Sequence, residues 1–176
     1  MLHKPFIKLF IASAIFIQIG SAFALTTGTP ATFEVRATVT GNCSISATAM
    51  AFGNYDPVIT NASTDLTAVS TVSVTCAKGV NTATIGMDYG LHVSGSTQRQ
   101  MKGPGTSDFL SYNLFQSPSP YTTCPGTVAW NNTAPLLIPI APSKATRSFN
   151  VCGTVPQNQD VTIGAYTDTV TVSINF

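Results

Sequence analysis

Few side chains in this chain could do chemistry, and their spacing settles most of what they could do. His3 lies in the N-terminal apolar stretch, which leaves His92 as the one histidine of the remaining chain. Any Ser-His-Asp or Cys-His relay would have to run through His92. A lone histidine beside a strand is ordinarily a surface or half-buried side chain. The acidic residues are scattered singly, and nothing in the sequence marks a carboxylate pair. Gly103-Pro-Gly105 lacks the Gly-Lys-Ser/Thr ending and following helix of a phosphate loop. Arg99 and Lys102 make a small basic spot, read as part of a solvated loop. No enzyme and no cofactor are expected.

The four cysteines, Cys43, Cys76, Cys124 and Cys152, include no CxxC pair and no histidine at zinc-ligand spacing, so a metal site is not expected. An even count in an exported chain points to two disulfides. Of the three possible connectivities, Cys43–Cys76 with Cys124–Cys152 closes the two shorter, non-overlapping loops. Each bridge would contribute roughly 3–4 kcal/mol on the chain-entropy view.

Export is read from the first residues. Lys4 and Lys8 precede an apolar run from Leu9 to Ile19, and Ala22 and Ala24 present small residues before a cleavage point at Leu25. Residues 1–24 are therefore expected to be a signal peptide, too short in its apolar run for a comfortable membrane span. About 150 residues remain, enough for one domain with an adequate core. The rest of the chain balances Arg36, Lys78, Arg99, Lys102, Lys144 and Arg147 against seven acidic residues. So even a balance argues against nucleic acid as a partner, since phosphate binding needs a basic face. Low charge near neutrality also favours self-association.

The elements that would position these residues all read as strands. Phe33, Val35, Ala37 and Val39 alternate with Glu34, Arg36 and Thr38. Phe52 to Pro57 reads as a turn. Val72, Val74 and Cys76 oppose Thr71, Ser73 and Thr75, and Phe109–Phe115, Leu136–Ile140 and Arg147–Val155 supply further strands. Thr82 to Val93 holds one or two strands, Met101 to Asp108 a Gly/Pro loop, and Ser117 to Trp130 a long loop. Trp130 and Tyr121 in that loop are candidate surface aromatics, whereas Tyr55, Tyr89, Tyr112 and Tyr166 read as core. Asn61 and Asn131 sit in sequons, which matter only with a eukaryotic glycosylation pathway. The strongest alternation is in Gly164–Phe176, with Tyr166, Val170, Val172, Ile174 and Phe176 on one face. A core-type strand is unusual at a chain end, which raises the question of what covers it. Without a sustained helical period, the fold class is an all-β sandwich.

In order and spacing, several of these pieces resemble the spore coat U domain family. They are the strand before the first cysteine, Cys-Ser-Ile-Ser, Phe-Gly-Asn-Tyr-Asp, Val-Ser-Val-Thr-Cys, Leu-Ser-Tyr-Asn-Leu-Phe and Gly-Ala-Tyr-Thr-Asp-Thr-Val-Thr-Val. That family includes subunits of archaic, Csu-type chaperone–usher pili. The resemblance implies an immunoglobulin-like sandwich lacking its last strand, over residues 42–176, after an N-terminal extension at 25–41. It implies that a periplasmic chaperone lends a strand to the open groove, and that an outer-membrane usher catalyses its replacement by the Phe33–Val39 segment of the next copy. The groove wall would then be Tyr166, Val170, Val172, Ile174 and Phe176. On this resemblance the chain is an exported, cell-surface pilus subunit serving adhesion and biofilm formation, with no membrane insertion. A surface coat protein and a pilus-tip adhesin are the alternatives. The tip role fits less well, because one domain's length plus a donor-like segment suits a shaft or adaptor subunit.

Overall fold

The computed structural model describes residues 27–176, so the expected signal peptide lies outside the described residues. The chain divides into two compact units, Met1–Ala37 and Thr38–Phe176. In the first unit, the described residues carry no strand assignment and are exposed. In this single copy Phe33–Val39 forms no strand, and an alternating pattern becomes one only when a partner edge pairs with it. Arg36 forms an ion pair with Glu34 on the polar side of that alternation.

The second unit is all β among the described residues. Its strands are β1 (Cys43–Ala47), β2 (Leu66–Cys76), β3 (Thr84–Met87), β4 (Val93–Ser94), β5 (Gln98–Lys102), β6 (Phe109–Gln116), β7 (Val128–Ala129), β8 (Leu136–Leu137), β9 (Arg147–Val155) and β10 (Val172–Asn175). A curled antiparallel sheet runs β1-β2-β9-β6-β5-β4, with β7 beside β6, and a smaller sheet runs β10-β3-β8. The period of two in β2 and β9 does the positioning. Val72, Val74 and Cys76 of β2, and Phe149, Val151 and Val155 of β9, turn inward onto one core.

The β2–β9 ladder runs from Leu66↔Val155 to Val74↔Arg147 and defines two ends about 27 Å apart. At the proximal end, where the chain enters the domain, residues 38–42 meet residues 77–82, and Gly79 N–H donates to Ala141 C=O. At the distal end, Asn158 N–H donates to Asn61 C=O, and Thr162 Oγ1 donates to Asp108.

Trp130 corrects the surface reading. It is fully buried, its Nε1 donates to Ile85 C=O of β3, and its N–H donates to Leu114 C=O of β6. One residue therefore ties the two sheets together, by its side chain to one and its backbone N–H to the other, and the indole N–H is satisfied as a buried donor must be. Tyr121 is likewise half-buried, packed on the Phe149 ring. Arg99 and Lys102 lie in β5, not in a loop. Arg99 is buried, donating to Asp88 C=O and Trp130 C=O and stacking over the Tyr89 ring. The sequon residue Asn61 is buried too: its Oδ1 accepts from Asp56 N–H and its Nδ2 donates to Thr64 C=O. Disulfides join Cys43 to Cys76 across β1–β2, and Cys124 to Cys152 between the 117–127 loop and β9.

Candidate functional site

Between β1 and β10 the sandwich is open. β1 pairs only with β2 and β10 only with β3, so each presents one free edge among the described residues, and the two lie beside each other. Past β1 the chain runs on through Met50 and Phe52 to Tyr55, toward the distal end. The opposite wall runs back from Val161 through Tyr166 and Val170 to Val172. Two confluent clefts lie between these walls, one of about 470 Å³ and one of about 600 Å³, sharing Met50, Phe52, Met101 and Tyr166. Their floor is the core itself: Val72, Met87, Tyr112, Leu114 and Val151 in one, Leu66, Leu110 and Val155 in the other.

The walls differ from the rest of the fold in their backbone. Met50, Ala51 and Phe52 on one side, and Thr169 and Val170 on the other, find no backbone partner among the described residues. Free N–H and C=O groups flanking an apolar floor are a template for one more strand.

The terminal wall does not form the single strand its alternation suggested. It pairs once with the large sheet, at Thr167↔Lys102, and then rejoins the small sheet as β10. The crossing is fixed by Asp168, whose side chain is buried to 2% exposure and turned inward. Its Oδ1 accepts from Leu91 N–H at 3.0 Å and faces His92 Nδ1 at 3.1 Å, while Oδ2 accepts from Tyr112 O–H at 2.7 Å. Gly90, at φ +82°, makes the room: a Cβ there would stand 2.0 Å from Asp168 Oδ2. Burial and the bond to Asp168 push the Tyr112 phenol far above its ordinary range, so it remains a donor. Asp88 pins the next turn, accepting from Thr171 N–H and Gly90 N–H. Burial alone would raise its pKa, but these bonds outweigh that and hold the carboxyl below its usual value.

Of the residues expected to wall a groove, Tyr166, Val170 and Val172 line the clefts, and Ile174 packs on the core beside them. Phe176 stands apart, in a proximal pocket with Val39 and Val80, because β10 makes its last pair at Asn175↔Thr84. Phe33 and Val35 are exposed, as is Val39. Sequence reading missed Met50 and Phe52, which lie over Gly153 of β9, and it missed the Asp168–Tyr112–His92 network. His92 and Asp168 are 76 positions apart, and only the fold reveals that pairing.

The model of the Spore Coat Protein U domain family matches residues 29–173. Protein U of Myxococcus xanthus is 35% identical over 157 residues, covering 83% of this chain and 84% of that protein. Among solved structures, the fold is similar to a chain in the CsuC–CsuE chaperone–tip adhesion subunit pre-assembly complex from archaic chaperone-usher Csu pili of Acinetobacter baumannii. The TM-score is 0.53 at 23% identity, with 79% of this chain covered. This chain spans only 40% of the length of that one.

Proposed function

The chain belongs to the Spore Coat Protein U domain family, and from that membership we propose that it is a structural, non-catalytic pilus subunit that polymerises by strand donation. The observation that carries this reading is the groove: an apolar floor between two walls of unpaired backbone. The segment Phe33–Val39 has the matching chemistry, with Phe33, Val35, Ala37 and Val39 on one face and the paired Glu34 and Arg36 on the other. Burying Phe33, Val35 and Val39 of a neighbour contributes roughly 5–8 kcal/mol before ordering costs. That rivals the stability of a whole domain.

Direction follows from the ends. The donor segment leaves its own domain proximally, through residues 38–42. In a fibre of equally oriented copies, it enters the next groove distally, beside Tyr55 and Val161. It then runs antiparallel to the Val161–Val172 wall and parallel to β1. Such a contact is heterologous and does not close, so it generates a fibre.

Before assembly the same groove would be an aggregation hazard. A periplasmic chaperone that lends a strand, and an outer-membrane usher that exchanges it, are the partners this reading calls for. The complex type of the similar fold, a chaperone with a pilus subunit, supports the first of them. Localisation is then the cell surface, by way of the periplasm, with adhesion and biofilm support as the role of the fibre. The family's description, Spore Coat Protein U domain, favours a surface coat as the second reading; donated strands would build either.

Deleting residues 32–39 tests the reading. The expected outcome is a subunit that is captured by its chaperone yet forms no polymer in electron micrographs. Fibres of normal length from the deletion would overturn it.

A further inference from the structure

We propose that the two ends of the domain are complementary docking faces, the proximal end of one copy seating on the distal end of the next. The inference rests on the strand-donation reading, and adds to it a contact surface outside the groove.

The charges of the domain are segregated by end. Proximally, Lys78 and Lys144 are exposed and Arg147 is half-buried, with no acidic residue among positions 77–82 or 139–147. Distally stand Asp56, Asp65, Asp108 and Asp160, in the loops that close that end, with Lys102 the one cation near them among the described residues. A domain close to neutral overall is thus positive at one end and negative at the other. Each end also exposes apolar side chains. Ile140 and Phe176 are proximal, at 57% and 56% exposure, and Val58 and Ile163 are distal, at 82% and 93%. Opposite charge around apolar contact is the composition of a specific interface, with electrostatics setting partner and orientation.

The occupant is fixed by the chain itself. The donor face begins at Val39, and only residues 40–42 separate it from Cys43 of β1. The four steps from Val39 to Cys43 span about 13–14 Å when fully extended. A Val39 seated in the distal mouth of a neighbouring groove therefore brings the two ends together. Like ends would set lysine against lysine or aspartate against aspartate. Only the proximal-on-distal arrangement satisfies both the link and the charges, so the partner is a second copy of this chain in the same orientation.

Charge reversal on the full mature chain tests this, with polymer growth followed by light scattering at low ionic strength. One variant carries Asp65→Lys and Asp160→Lys, another Lys78→Glu and Lys144→Glu, and a third carries all four. Asp160→Lys alone serves as a milder distal variant, since its carboxylate makes no hydrogen bond among the described residues. Each single-end variant is expected to grow about tenfold more slowly, the four-fold variant to recover most of the rate, and half-molar salt to erase the differences. Equal rates for all variants at low salt, or a four-fold variant as slow as the single-end ones, would overturn the docking faces. Fibre growth by the unsubstituted chain and its loss on deleting residues 32–39 would still support donation in that case. Growth that survives the deletion would remove donation and the docking faces together.

Discussion

The two flanks of this sandwich are built from similar residues and end in opposite states. Along β2 and β9, alternating Val, Thr, Ser and Phe are paired over the full nine residues of β9, and a disulfide stands at each edge of that pair. Along Met50–Tyr55 and Val161–Val170, equally apolar residues cover the same core with scarcely any backbone pairing. Hydrophobicity is therefore not what separates a finished flank from an open one. The difference lies in whether a partner strand satisfies the backbone. On the open flank, side chains such as Asp168 spend their hydrogen bonds holding a wall in place.

Substitutions should separate the flanks by what they cost. Trp130→Ala, on the closed side, removes a fully buried indole and its bond to Ile85. It is expected to destabilise the folded domain by about 3–5 kcal/mol in urea titration. Val170→Asp, on the open wall, should shift the same titration by less than about 1 kcal/mol, because the residue is not fully buried. Assembly should respond the other way round: Val170→Asp abolishes polymer by placing a charge where a strand must seat. Equal stability losses from the two substitutions would break the contrast.

A smaller effect comes from pH. The folded-state pKa of Asp88 is depressed below 3.8, against burial, by hydrogen bonds from Thr171 and Gly90. A depressed carboxylate contributes stability that is present above its unfolded value and is lost as pH falls through the folded value. Acid should therefore loosen the joint between Thr171 and the Asp88–Gly90 turn after β3 as pH falls below about 3.8. In Asp88→Asn that acid step should be smaller, measured as melting temperature against pH.

How far the sequence carried this is clear from particular residues. β2 and β9 were legible because alternation and β-branching act locally. The donor-like face of Phe33–Val39 was legible as a pattern, although that segment carries no strand assignment in the structure. Trp130 was misread because its neighbours, Pro, Ser and Thr, describe a loop, while its burial depends on Ile85 and Leu114 from two other strands. Arg99 was misread for the same reason, since the two carbonyls that hold it come from Asp88 and Trp130. The break in the terminal strand was illegible because Asp168 counts as one more polar residue in an alternating run. Its partners arrive from Leu91, His92 and Tyr112.

The most direct measurement is a cysteine scan of residues 33 to 37, one position at a time, each in a chain that also carries Val170→Cys. Strand donation predicts disulfide-linked ladders between copies on a non-reducing gel with the period of two of the donor face: strongest from the odd position that lies opposite residue 170, since a bridge needs Cα atoms within about 7 Å, and weak from 34 and 36. Linkage confined to single chains, or linkage without that period of two, would contradict it.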